Sequence, residues 1–200
     1  MTLFEEKQAL RREVRSAERA LDTGYKAAAD RAILGHILEL PLYRAAARVF
    51  CFVSTGNEVD TRPLLADALA AGKTLCVPRC REGGRMDVCR IQSLAELAPG
   101  AYGILEPGEG CATVSAADIG FALIPCLSAD RRGRRLGRGG GYYDRFLEDY
   151  RGAAVLVCRE ALLREHIPME AHDVVLPWVV TERGVFPGES AAWSKNFCLD

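Results

Sequence analysis

Hydrophobic positions along this chain change their period several times. From residue 3 to about 20, Leu3, Leu10, Val14, Ala17 and Leu21 recur at helical spacing among charged residues. That spacing predicts an amphipathic helix, and Thr2 followed three residues later by Glu5 fits a capping box at its start. A second helix is expected over about 25–39, stopped at "LPLY" by Pro41. "RVFCFVST" (48–55) is a continuous apolar run of strand length. "TRPLLADALAAGK" reads as a helix with Thr61 near its N-cap and Gly72 at its end. "TLCVP" follows as a second strand, and "RMDVCRI" alternates like a half-exposed one.

"SLAELAPGAYGILEPGEG" reads as mostly loop with one helical turn. "DIGFALIP" is a third apolar strand, followed by a glycine-rich loop, and "YYDRFLEDY" is a helix. "AAVLVCR" is another buried strand, and "HDVVLPWVVTERG" brings strand character towards the end. Strands that are nearly continuous apolar runs, alternating with helices, predict an α/β fold with a mainly parallel sheet covered on both faces. No internal repeat or linker interrupts the pattern. One domain over residues 1–190 is expected, with 191–200 as a loosely attached tail.

Composition narrows this only at a few points. The 200 residues carry 26 Lys and Arg against 27 Asp and Glu, a formal net charge of −1. Any attraction for an anion must therefore be local. The charged, periodic N-terminal stretch does not read as the apolar core of a signal sequence, and no apolar run approaches membrane-spanning length. Eight cysteines include no C-x-x-C pair. They read as small buried hydrophobes in a reducing, cytoplasmic compartment. His36, His166 and His172 do not pair with them at zinc-ligand spacing.

The candidate chemistry lies in "RLGRGGGYYDR", Arg135 to Arg145. Glycines 139–141 sit between an apolar strand and a helix, where open α/β sheets bind ligands. Glycines let backbone N–H groups face an anion, the helix adds its positive end, and the neighbouring arginines add cations. This is either a phosphate cradle or a flexible turn. It lacks the Walker A lysine and the dinucleotide fingerprint. Asp144, in the first helical turn, is either a metal ligand or a helix-dipole carboxylate. Lys7, Arg11 and Arg15, four residues apart, form one cationic helix face, which by itself is also a common solvated face. Glu58, read alone, is an ordinary loop carboxylate.

The run "IPCLSADRRGRRLGRGGGYYDRFL" resembles the signature of the 5-formyltetrahydrofolate cyclo-ligase family: Pro125, Asp130, Gly133, then Arg135 to Arg145. "KQALR", "FVSTGNEVDTRPLL", "VPRC…RMDVCRI", "YGILEP" and "EAHDVVLPWVVTERG" match further blocks in the same order. The resemblance implies a three-layer α/β/α, Rossmann-like fold and an ATP- and Mg²⁺-dependent cyclisation of 5-formyltetrahydrofolate to 5,10-methenyltetrahydrofolate. It implies that Lys7, Arg11, Arg135, Gly137, Arg138, Gly139, Gly140, Gly141 and Tyr142 contact ATP. It also implies that Val53, Glu58, Met86, Arg138, Tyr142 and Tyr143 contact the folate, and that Asp144 and Asp173 ligate Mg²⁺. The implied partner is a small molecule, the folate with or without a polyglutamate tail, with no nucleic acid and no membrane, on a monomer. Two positions depart from the family pattern: Gly140, where some members have Lys, and Ala129, where an aromatic is common. Isomerases and CoA transferases on related folds, and a non-catalytic nucleotide- or folate-binding module, are the competing readings.

Overall fold

The apolar runs become the middle of one sheet. A computed structural model describes residues 2–100 and 103–191. Tyr102 of "YGILEP" and nearly all of the expected tail lie outside the described residues. Among the described residues, five α-helices and eleven strands follow in chain order: α1 (Leu3–Ala20), α2 (Thr23–Glu39), α3 (Pro41–Ala45), β1 (Arg48–Cys51), α4 (Arg62–Ala70), β2 (Thr74–Arg81), β3 (Arg85–Ile91), β4 (Leu97–Pro99), β5 (Leu105–Pro107), β6 (Phe121–Ile124), β7 (Ser128–Ala129), β8 (Arg135–Leu136), α5 (Tyr142–Asp149), β9 (Ala153–Val157), β10 (Trp178–Thr181) and β11 (Gly184–Pro187).

The main sheet has seven strands in the order β11-β10-β9-β6-β1-β2-β3. The five central strands run parallel, and β11 and β3 pair antiparallel at the two edges. Side chains alternate across a strand, and β1 shows the result. Val49 and Cys51 pack with Ile33 and Ile37 of α2 and Leu64 and Leu65 of α4. Phe50, between them, packs on the other face with Val14 of α1 and Phe146 of α5. Two apolar cores, one on each face, make the three-layer α/β/α arrangement. The Phe50 and Phe146 rings stack at 4.6 Å between centroids.

The helix starts follow the sequence closely. Thr2 and Glu5 form the expected reciprocal capping box on α1. Leu40 caps α2 and Pro41 then opens α3, so Pro41 ends one helix and starts another. Thr61 precedes α4 without capping it. Its hydroxyl donates to the Phe52 carbonyl at 2.8 Å and accepts from the Ser54 N–H at 3.0 Å, closing the loop after β1.

Three features depart from the sequence reading. The stretch expected to be loop contains the ribbon β4–β5, whose pairing is too short for alternation to show. The chain between β6 and the glycines folds back as the hairpin β7–β8, closed by Asp130, whose Oδ1 accepts from the N–H groups of Arg132 and Arg134. Cys89 of β3 and Cys111 are joined in a disulfide, against the expectation of free thiols. Their separation of 22 residues is no recognisable spacing, and only tertiary pairing of the segment after Cys111 with β3 brings them together. Cys51, Cys76 and Cys158 are free and buried, as expected. Ala129, one of the two departures, is fully buried beside Leu127 and Leu136.

Candidate active site

The carboxyl ends of β1 and β6 point into a cavity of about 640 Å³. Here the strand order leaves β1 in opposite directions, towards β2 on one side and β6 on the other, and at such a switch point the loops diverge and leave a crevice. Phe52 and Val53 continue β1 into the wall, and Pro125 and Cys126 continue β6.

Every residue that the resemblance implies for ATP, folate or Mg²⁺ lies on this one cavity, whereas Arg15 does not. Helix α1 brings Lys7 and Arg11. The loop after β1 brings Glu58 beside Val53, and β3 brings Met86. Strand β8 and the glycine loop bring Arg135, Gly137, Arg138, Gly139, Gly140 and Gly141. Helix α5 brings Tyr142, Tyr143 and Asp144, and the segment before β10 brings Asp173.

Polar contacts of four cations, Lys7, Arg11, Arg135 and Arg138, fix the shape of the site. Lys7 is only 6% exposed, and its ammonium lies 2.6 Å from Oε2 of Glu170 and 2.5 Å from Oδ2 of Asp173. Arg11 donates from Nε to the Gly137 carbonyl at 2.9 Å, joining α1 to the glycine loop. Arg135 pairs with Asp144. Arg138 donates from Nε to Oε1 of Glu58 at 3.0 Å, while the Thr55 N–H donates to Oε2 at 2.9 Å. Lys7, Arg135 and Arg138 are thus each paired with a carboxylate of the cavity wall.

The glycine loop ends at Gly141, which precedes α5 with φ of +69°, a left-handed backbone that glycine adopts without strain. No side chain caps α5, and Asp144 sits in its first turn. At Gly140 a Cβ would lie 2.8 Å from the ring edge of Tyr142. The tyrosine ring fills the space that a side chain at position 140 would take. Arg145, the next residue after Asp144, donates to the Gly84 carbonyl at 3.1 Å and ties α5 to the β2–β3 turn.

Burial opposes the charge on Asp173, but the Glu170 N–H and the Lys7 ammonium outweigh it and hold the carboxyl below its ordinary value. Burial and the neighbouring Arg15 lower the pKa of Arg11, against the attraction of Asp173, Glu170 and Asp144. Across the cavity, burial and then Glu106 push the Cys80 thiol up to about 12, so it stays protonated.

A sequence profile described as the 5-formyltetrahydrofolate cyclo-ligase family matches residues 4–182. The chain belongs to that family. It is 32% identical to the mitochondrial 5-formyltetrahydrofolate cyclo-ligase of Arabidopsis thaliana, over 93% of this chain and 77% of that one. With the Escherichia coli K12 cyclo-ligase it shares 29% identity over 88% of this chain and 97% of the relative. The solved 5,10-methenyltetrahydrofolate synthetase of Aquifex aeolicus superposes with a TM-score of 0.81 at 31% identity, covering 94% of this chain and 95% of that one. The protein is accordingly an enzyme of the cyclo-ligase family with the family's α/β fold.

The cavity contains more polar residues than the sequence reading named. Glu170 shares Lys7 with Asp173. It stands three residues before Asp173 inside the quoted "EAHD" block, a spacing that would have drawn attention to it. Glu106 is 6% exposed and accepts from the Cys80 N–H at 3.1 Å, and no spacing connects it to the site because the unforeseen ribbon β4–β5 carries it there. Among the described residues, Glu170, His172 and Asp173 form the one compact group of side chains able to hold a metal, with ligand atoms within 4.8 Å of one another. Asp144 lies on the same cavity but outside that group. The carboxylate oxygens of Asp144 and Asp173 are hard donors of the kind Mg²⁺ accepts together with phosphate oxygens and water, so the donor set fits that ion.

Proposed function

We propose that this enzyme converts 5-formyltetrahydrofolate and ATP to 5,10-methenyltetrahydrofolate, ADP and phosphate in a Mg²⁺-dependent reaction. The observation that carries this reading is the convergence, on one cavity of a cyclo-ligase family member, of four cations, a glycine loop and three separated carboxylates. They are Lys7, Arg11, Arg135 and Arg138, with Glu58, Asp144 and Asp173.

The chemistry calls for these residue types. The N5-formyl group is an amide, with a weakly electrophilic carbon and a poor leaving oxygen. The formyl oxygen attacks the γ-phosphorus and ADP leaves. N10 then bonds to the activated carbon and loses its proton, and phosphate departs with the former formyl oxygen. Phosphoryl transfer of this kind needs positioning and charge neutralisation rather than a protein nucleophile.

Lys7, Arg11 and Arg135 hold the triphosphate, and Arg138 with the backbone of Gly137 to Tyr142 lies between it and the formyl group. Asp144 and Asp173 hold Mg²⁺. When bound, that ion neutralises charge on the transferring phosphates. Glu58 accepts the pterin N–H donors, and Val53, Met86, Tyr142 and Tyr143 enclose the ring. The enzyme acts as a cytoplasmic monomer, on folate with or without a polyglutamate tail.

The test is the near-UV absorbance of the methenyl product. Protein is mixed with 5-formyltetrahydrofolate and Mg²⁺, with and without ATP, and again with ATP but with a chelator. A rise that needs both ATP and metal supports the proposal. Absence of any rise in a protein that still binds ATP would overturn it in favour of a non-catalytic binding module.

A further inference from the structure

Behind Glu58, outside the cavity, lies an arginine that no step of the reaction uses. Arg159 lies two residues past the end of β9 and is only 3% exposed. Its guanidinium makes four hydrogen bonds. Nε and Nη2 donate to the two carboxylate oxygens of Asp30 on α2, at 2.7 and 2.8 Å. Nη1 donates to the Asn57 carbonyl at 2.7 Å, and Nη2 also to the Glu58 carbonyl at 2.9 Å. Asp30 is itself tied to the same loop, because its Oδ2 accepts from the Asp60 N–H at 3.1 Å. Lys26, one helical turn earlier on α2, reaches the Asn57 side chain at 3.1 Å.

Burying a charge is costly unless it is paired and fully hydrogen-bonded, and here both members of the pair point their remaining capacity at one short loop. An ion pair that served only to join β9 to α2 would not need the carbonyls of residues 57 and 58. The planar fork of an arginine can bind a carboxylate side-on and two carbonyls together, and a lysine cannot.

We propose that Arg159, braced by Asp30, is a positioning residue that sets the backbone at Asn57–Glu58 and thereby aims the Glu58 carboxylate into the cavity. The inference rests on the reading of Glu58 as the folate contact. It makes folate affinity, rather than nucleotide affinity, the quantity that Arg159 controls.

The experiment measures dissociation constants for 5-formyltetrahydrofolate without ATP, and for Mg²⁺-ATP without folate, in Arg159→Lys, Glu58→Gln and the double variant. Asp30→Asn, nearly isosteric, is the second variant if Arg159→Lys does not fold. Arg159→Lys is expected to weaken folate binding about tenfold, since small misplacements of a recognition group cost that much or more. ATP binding should stay within about twofold, because the cations that hold the triphosphate are untouched. The double variant should bind folate no more weakly than Glu58→Gln alone. Unchanged folate binding in Arg159→Lys, equal losses for both ligands, or a loss that adds fully to that of Glu58→Gln would overturn the positioning role. Native folate affinity in Glu58→Gln would instead overturn the reading of Glu58, and the positioning role with it.

Discussion

Arg138 of the glycine loop and Glu58 of the loop after β1 lie 80 residues apart in sequence and pair at 3.0 Å across the mouth of the cavity. The contact joins a residue assigned to both ATP and the folate with one assigned to the folate alone. The two roles can be separated by mutation. Glu58→Gln keeps the shape of the side chain and removes its charge. The KM for the folate is expected to rise about tenfold, the scale of a lost hydrogen bond to a charged group, with the KM for ATP within about twofold. Steady-state kinetics with each substrate varied in turn decide this, and an equal rise in both constants would refute a pterin contact.

Asp144 pairs with Arg135 while lining the same cavity. Asp144→Asn removes one charge from the proposed metal site. Changes in the outer shell of a metal site already cost about 10- to 100-fold, so kcat with Mg²⁺-ATP is expected to fall by at least about 100-fold. A magnesium titration of the variant should need more metal for half-maximal rate. Turnover equal to that of the parent protein would remove Asp144 from the metal site.

Lys7 and Asp173 give a pH dependence whose sign is fixed. The Asp173 carboxyl is held below its ordinary value of 3.8 by the Glu170 N–H and Lys7, against the opposing effect of burial. A lowered folded-state pKa means that this contribution to stability is complete above about pH 5 and is lost as the pH falls through the folded value. Lys7→Met removes the ammonium. Melting curves from about pH 6 to pH 2 should show the variant less stable at the upper end, with a shallower fall towards acid. Parallel curves for both proteins would show that the pair does not contribute.

Gly133 has φ of +92°, and a Cβ there would lie 1.9 Å from the carbonyl oxygen of Leu176. The Leu176 N–H also donates to the Gly133 carbonyl at 2.8 Å. Gly133→Ala combines an unfavourable backbone with a clash against backbone that has no flexible end to move. A destabilisation of about 3 kcal/mol is expected, read as a shift in the urea midpoint. The segment from Asp173 into β10 is the part that must give way. An alanine variant with an unshifted midpoint would show that the two strands of chain can separate at no cost.

The sequence was most informative where one residue type had one physical use. The buried runs 49–51 of β1 and Phe121–Ile124 of β6 read as sheet because every position in them is apolar, and Thr2 with Glu5 reads as a cap because both side chains are needed for it. Lys7, Glu58 and Asp144 each had an unremarkable alternative when taken singly. They became a site only through the order of motifs in the chain, and the cavity then placed them together. The ribbon β4–β5 and the hairpin β7–β8 were not legible, since strands of two or three residues are too short to show a period. Arg159 and Asp30 were invisible for another reason. Their contact spans 129 residues, and the arginine looks like the polar residue that ends a strand until its bonds are seen.

The contacts of α1 tie the beginning of the chain to its later part. Lys7 meets Glu170 and Asp173 across 163 and 166 residues, and Arg11 meets Gly137 across 126. Contacts so distant form only after the loop between them has been closed, at an entropic cost that local structure cannot offset. A nascent chain that has completed β1, β2 and α4 already holds Glu58 but lacks the glycine loop and Asp173. On the proposed roles of these residues, partly folded chains do not bind the nucleotide, and ligand added during refolding should stabilise the finished fold without drawing intermediates out of the folding path.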